Sequence, residues 1–185
     1  MSDTTRPPRI NDGIPEQNGR EYWFRSEQEI LADLQNGEFL EAELIHDQQV
    51  SGISIRELER AVADGKTPIN EVEIGGLQTI FKAKPDTIAI ILLPPSFEEW
   101  QRRLNGRGKI SDQELKNRLN TAVRVFEAAI ADPKLLLLVN DTTKGSADEI
   151  EAWVRGEAPI QQEQDEARQL AATLLKQTKA RLTEL

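Results

Sequence analysis

Two short apolar runs stand out in this chain, Thr87–Leu93 (T-I-A-I-I-L-L) and Leu135–Val139 (L-L-L-L-V). Continuous runs of this length are expected of parallel strands covered on both faces by helices. Between them apolar positions return at helical spacing over Ser96–Asn105 and Ser111–Ala131, two predicted helices split by Gly106-Arg107-Gly108. Upstream the pattern is more mixed. Residues 2–20 carry Pro7, Pro8, Gly13, Pro15 and Gly19 and read as an irregular loop. Glu21–Arg25 is aromatic enough for a short strand. Ser26 then opens S-E-Q-E, a capping box, ahead of Ile30, Leu31 and Leu34, with Asn36-Gly37 as the stop. Phe39–Ile45 alternates like a half-buried strand, Ser54–Ala63 reads as a helix ending at Asp64-Gly65, and Pro68–Ile74 reads as another strand. After the second apolar run, residues 146–155 predict a helix closed by Gly156. Gln161–Leu185 is one long helical stretch with Leu170, Leu174, Leu175 and Leu182 on one side. No internal repeat is present. Alternating strands and helices predict an α/β fold on a mainly parallel sheet.

Composition narrows the class. At 185 residues, 30% charged and 38% hydrophobic, the chain is one ordinary globular domain with room for an appendage. A formal net charge of −9 argues against non-specific nucleic-acid binding. With no cysteine and only His46, thiolate and histidine metal sites are not expected. No apolar run approaches the ~20 residues that span a bilayer, so no membrane partner is expected, and the expected compartment is the cytoplasm.

Two groups of residues carry candidate chemistry. Arg6 and Arg9 project from a proline-stiffened loop, and paired guanidinium forks suit a phosphate dianion, with the Tyr22 hydroxyl as a further donor. The competing reading is a solvated basic patch. Arg103, Arg107 and Arg118 lie on or beside the Gly-flanked L-N-G-R-G-K segment. Arginines on a closing lid stabilise charge on a transferred phosphoryl group; the competing reading is a helix–turn–helix with ordinary surface charge.

Taken in order, S-D-T-T-R-P-P-R (2–9), G-R-E-Y-W-F (19–24), G-E-F-L-E (37–41), P-P-S (94–96), R-L-N-G-R-G (103–108), N-R-L (117–119) and V-N-D (139–141) resemble the guanylate kinase family. The resemblance implies a three-layer nucleoside monophosphate kinase fold over residues 1–157, with a GMP-binding subdomain near 10–68, a lid near 103–122 and a helical extension at 158–185. It implies phosphoryl transfer from ATP to GMP, with GMP as partner. By the same likeness, Arg6, Arg9 and Tyr22 match positions that hold the GMP phosphate, and Ser2 and Glu41 match positions that read guanine. Arg103, Arg107 and Arg118 match lid arginines on the ATP side, and Asn140 and Asp141 match the segment beside adenine.

Four departures temper this. The family's G-x-Y-Y-G-T/S stands here as D-Q-Q-V-S-G-I-S (47–54), without either tyrosine and with Ser54 as the candidate hydroxyl. Its D-x-D-x-Q-G stands as E-V-E-I-G-G (71–76), which puts Glu71 and Glu73 where aspartates meet magnesium's water shell or guanine. The loop between Arg9 and Tyr22 is a few residues longer than usual. Finally, the 185 residues contain no G-x-x-x-x-G-K-[ST]; Gly65-Lys66-Thr67 has Arg60 at the first glycine and follows a helix. The expectation is therefore a chain truncated before its phosphate loop that binds GMP with little or no catalysis, with ATP not firmly held and magnesium entering only with ATP. The alternatives are an active kinase whose loop lies upstream and a non-catalytic interaction domain on the same scaffold. The leucine-bearing tail is expected to fill the surface a missing first strand leaves, or to pair in a homodimer.

Overall fold

The computed structural model describes residues 2–11, 13–45, 49–106 and 111–185. The chain divides into two compact units, Met1–Thr87 and Ile88–Leu185. The first contains β1 (Ser2–Thr4), β2 (Ile10–Asn11), β3 (Ile14–Pro15), β4 (Tyr22–Phe24), α1 (Glu27–Gln35), β5 (Phe39–Ile45), β6 (Gln49–Ser54), α2 (Ile55–Ala63) and α3 (Leu77–Ala83). Four strands form a sheet in the order β4-β1-β6-β5. β1 runs parallel to β4 and antiparallel to β6, and β5 and β6 are antiparallel. The capping box at α1 forms as expected: Ser26 Oγ accepts from the Glu29 amide, and the Glu29 carboxylate accepts from the Ser26 amide at 2.8 Å.

Three local expectations need correction. The first residues are a central strand rather than loop: β1 fills the middle of the sheet, and Asp3 and Thr4 are fully buried. The Pro68–Ile74 segment is not a strand. Pro68 lacks a ladder donor, Gly75-Gly76 breaks the other end, and Ile69 and Val72 are exposed, so no burial rewards an extended ladder. β6 and α3 were not predicted, because β6 is largely polar and α3 is only two turns long, anchored by buried Leu77 and Ile80.

The second unit contains β7 (Ile90–Leu93), α4 (Phe97–Asn105), α5 (Asp112–Ala131), β8 (Leu136–Val139), α6 (Thr143–Val154) and α7 (Gln161–Thr183). The two apolar runs pair as parallel strands from Ile90↔Leu136 to Leu93↔Val139. Among the described residues β7 has no strand partner on its other side. α7 packs along α5 and β8. Its buried residues, Gln164, Ala167, Ala171, Leu174 and Thr178, recur at alternating steps of three and four, whereas Leu170, Leu175 and Leu182 are half-buried. Gln164 completes the outer edge of β8. Its Oε1 accepts from the Leu137 amide at 2.9 Å and its Nε2 donates to the Leu137 carbonyl at 2.8 Å, as a neighbouring strand would. Arg168 donates to the carbonyls of Ala129 and Leu135, satisfying the end of α5 and the turn into β8. The tail stripe is thus buried within the chain, against α5 and β8. No helix among the described residues is long and apolar enough to cross a membrane.

Candidate functional site

Side chains alternate across a sheet, so odd and even positions of β5 and β6 face opposite ways. α2 packs against one face of the first unit's sheet. On it Asp3 is bound by Arg56 at 2.9 Å, and Arg25 and Arg56 both reach Asp33. The other face lines a pocket of about 590 Å3, a usual size for a small-molecule site. Ser2 and Tyr22 line it from β1 and β4, Glu41 and Glu43 from β5, and Ser51 and Ile53 from β6, while residues 69–73 close it. Of the expected residues, the structure therefore brings together Ser2, Tyr22, Glu41 and Glu73. Ser54 does not join them. It lies one step out of phase with Ser51 and Ile53, is fully buried at the start of α2, and its hydroxyl has no hydrogen-bond partner among the described residues.

The pocket is acidic, with Glu21, Glu41, Glu43, Glu71 and Glu73 all in its lining. Burial, with the charges of Glu43 and Glu73, pushes the Glu41 carboxyl above its ordinary value. Close approach requires glycine at two positions next to Glu41. A Cβ on Gly52 would come within 2.7 Å of the Glu41 carbonyl and of the Phe39 ring, so the β5–β6 approach requires glycine. A Cβ on Gly76 would meet Glu41 Oε1 at 2.9 Å, so Gly76 leaves the space that the carboxylate occupies.

Arg6 and Arg9 stand differently from the expectation of two free phosphate forks. The Arg6 guanidinium pairs bidentately with Glu16, Nη1 to Oε2 at 2.6 Å and Nη2 to Oε1 at 2.9 Å, and both side chains are nearly buried. It lies 4.6 Å from the Tyr22 ring centre. The hydrogen bond that Arg6 donates to Glu16, strengthened by the charge of Glu16 and by Tyr22, raises the Arg6 pKa despite burial. The Arg9 amide also donates to Glu16 Oε2 at 2.8 Å, and the Arg9 side chain is exposed. The extra length noted in this loop forms the β2–β3 hairpin, which delivers Glu16 back to the arginines.

In the second unit, Arg103 binds the end of β8. Its Nη1 donates to the Asn140 carbonyl at 2.8 Å, its Nη2 to the Asp141 carbonyl at 3.1 Å and its Nε to Glu99 at 2.7 Å. Asn140 Oδ1 accepts from Ser146 at 3.1 Å. Glu99, clamped by Arg102 and Arg103, has its pKa lowered to about 2. Arg118 pairs with Glu114 one turn earlier at 2.6 Å. Arg107 lies outside the described residues.

Residues 1–157 match the family model described as guanylate kinase. The chain belongs to the guanylate kinase family. It is 36% identical over 154 residues to guanylate kinase from Porphyromonas gingivalis (strain ATCC BAA-308 / W83), covering 80% of each chain. It is 33% identical over 156 residues to guanylate kinase from Nostoc sp. (strain PCC 7120 / SAG 25.82 / UTEX 2576), covering 84% of this chain and 75% of that one. The crystal structure of guanylate kinase from Anaplasma phagocytophilum superposes with a TM-score of 0.63 at 26% identity, over 85% of this chain and 73% of the other. This guanylate kinase family chain departs from the quoted motif at the pocket itself. Aligning G-x-Y-Y-G-T/S on Gly52 puts Ser51 at the second tyrosine and Ile53 at the hydroxyl, and both line the pocket. That alignment, together with the period of two along β5 and β6, was the signal for Ser51, Ile53 and Glu43. Glu16 carried no such signal, because its partner Arg6 lies ten residues away across a hairpin.

Proposed function

We propose that this chain binds guanine nucleotides in the pocket of its first unit, with Glu41 as the base-reading group. We further propose that it catalyses phosphoryl transfer from ATP to GMP only with a phosphate loop from outside residues 1–185. The observation that carries the first part is the partly buried Glu41 carboxylate, set in a pocket of acceptors and spaced by Gly76. Guanine presents an N–H and an amine along one edge, and a carboxylate accepts from both. Adenine presents an acceptor at the corresponding ring nitrogen, which the same carboxylate repels. For the second part, the side of β7 that has no strand partner among the described residues would accept a further parallel strand and the loop following it. Magnesium would arrive on ATP, since it keeps much of its water and binds chiefly through phosphates. Among the described residues no three His, Cys, Asp or Glu side chains are grouped to hold an ion, and Glu71 and Glu73 would meet its water shell. Arg118 and Arg107 would serve as the lid arginines of the transfer, and Arg103, which donates to the Asn140 and Asp141 carbonyls, would position that segment.

Calorimetry with guanosine and adenosine tests the base-reading role. Guanosine is expected to bind and adenosine not. Glu41→Gln removes charge-assisted bonds worth roughly 1.5–3 kcal/mol, so guanosine should weaken at least tenfold. Equal binding of the two nucleosides, or an unaffected Glu41→Gln variant, overturns the reading. Gly76→Ala should act on the same carboxylate by displacing its flexible end: guanosine affinity falls, while the melting temperature moves little.

A pH dependence follows from the raised Glu41 pKa. The ionised form binds guanine, so affinity is full well above that pKa and is lost as pH falls through it. Because burial, Glu43 and Glu73 lift it above 4.5, the loss begins above the ordinary carboxylate range. The contribution of Glu41 to stability runs the opposite way, greatest at low pH and lost as pH rises through the folded-state pKa. Guanosine titrations at falling pH check this; an affinity constant down to pH 4.5 contradicts it.

A further inference from the structure

We propose that Asn18 is a positioning residue for the phosphate end of the site: its carboxamide fixes β4, and through β4 the Tyr22 side chain that lines the pocket. This rests on the guanine-nucleotide reading, in which Tyr22 and Arg6 face the ligand's phosphate. β4 is three residues long and lies at one end of the sheet, so β1 supplies a ladder on one side only. An end strand presents its remaining amides and carbonyls to solvent. Residues 17–21 fold back over that row. Asn18 Oδ1 accepts from the Phe24 amide at 2.8 Å, and the Gly19 amide donates to the Tyr22 carbonyl at 2.9 Å. Asn18 thereby stands in for a further parallel strand, in a single bridge to Tyr22. The turn that aims its carboxamide is tightly held. Gly19 has φ of +79°, and a Cβ on it would come within 2.8 Å of the rigid Trp23 ring. The Gln17 amide donates to the Glu21 carboxylate at 2.7 Å.

What these two bonds fix follows from the strand period. Tyr22 and Phe24 share a face of β4, and their ring centres are 6.1 Å apart. The Arg6 guanidinium lies 4.6 Å from the Tyr22 ring centre and 5.5 Å from that of Phe24. A turn or slip of β4 therefore moves both rings, and the cation beside them, together. Asn18 is exposed and outside the pocket lining, so it acts through Tyr22 and not by touching the ligand. The bond it makes is itself at the surface. Water replaces the carboxamide there when the side chain is removed, at little cost in stability. The aim of Tyr22 is what is lost.

Tyr22 is the only tyrosine in the chain, so isotope-labelled tyrosine reports on this one ring by NMR. The test follows that signal in the ligand-free full chain and measures GMP and guanosine by calorimetry. In Asn18→Ala the ring signal should shift or broaden. GMP should bind roughly three- to tenfold more weakly, with guanosine within about twofold of the parent. The melting temperature should move by less than about 2 °C. Asn18→Asp keeps an acceptor oxygen at the same reach and should return the ligand-free ring signal to that of the parent. An unmoved ring signal in Asn18→Ala, or GMP affinity within about twofold of the parent, overturns the proposal. So do equal losses for GMP and guanosine, which would mean a general loosening of the pocket, and a ring signal that Asn18→Asp does not restore. An Asn18→Ala chain that fails to fold would make the bond a requirement of the fold and overturn it as well. Failure of both GMP and guanosine to bind the parent defeats the guanine-site reading and this proposal with it, an outcome distinct from GMP binding that Asn18→Ala leaves unchanged.

Discussion

A polypeptide of residues 1–185, mixed with GMP, ATP and magnesium, is expected to turn over far below the roughly 1–100 per second of ordinary kinases. Phosphoryl transfer is catalysed mainly by positioning and by charge held against the phosphates, through a loop of inward backbone amides and a lysine. The one Gly-Lys-Thr tripeptide in the chain is otherwise engaged. Gly65 has φ of +69° and closes α2, with its amide donating to the Val62 carbonyl and that of Lys66 to Ala61. Lys66 Nζ is bound to Asp64 at 3.0 Å. Those amides cap a helix and cannot also cradle an anion. A coupled assay for ADP release measures the outcome. Turnover of several per second from this polypeptide alone would mean that phosphates are held by residues with no resemblance to the loop, and the requirement for an outside loop would fall.

How much of this was legible in the sequence depends on how local the signal was. Caps and apolar periods act within a few residues, so α1, α4, α5 and the paired strands β7 and β8 were readable from Ser26, Ser96, Ser111 and the two apolar runs. α6 begins three residues before the expected start because Thr142 caps it, accepting from the Gly145 amide at 3.1 Å. β1 was not readable. Its three residues are strand only because β4 and β6 supply ladders from 20 and more residues away, and no local propensity records that. The same holds at the site. Ser2, Tyr22 and Glu41 could be placed from motifs, but Ser54 was assigned to the pocket where strand phase puts Ser51 and Ile53. Arg6 could be named as a phosphate residue, yet its bond to Glu16 is a long-range choice between partners that spacing does not reveal. Arg103 is similar: the motif marks the residue, and only the fold shows its three nitrogens committed to Glu99, Asn140 and Asp141.

Removing the chain after Gly156 is expected to unfold the second unit. α7 buries Ala167, Ala171, Leu174 and Thr178 against the unit, and truncating one buried leucine alone costs about 2–5 kcal/mol. Stability of an ordinary domain totals only about 5–15 kcal/mol, so losing the whole stripe exceeds what the unit can lose and stay folded. The single residue that best isolates the role of the helix is Gln164. Gln164→Leu retains an apolar stem of similar size but leaves the buried Leu137 amide and carbonyl without partners, at about 1–3 kcal/mol each. At roughly 2–4 °C per kcal/mol for a domain of this size, the melting temperature should fall by about 5 °C or more. Gln162→Leu, on the exposed side of the same helix, should stay within about 0.5 kcal/mol of the parent. Thermal melts of the two variants, with mass measured in solution for the truncated chain, decide the matter. Equal melts for both glutamine variants would show that the β8 edge does not need the amide. A dimer that becomes an equally stable monomer on truncation would assign the stripe to pairing between copies instead of to the edge of β8.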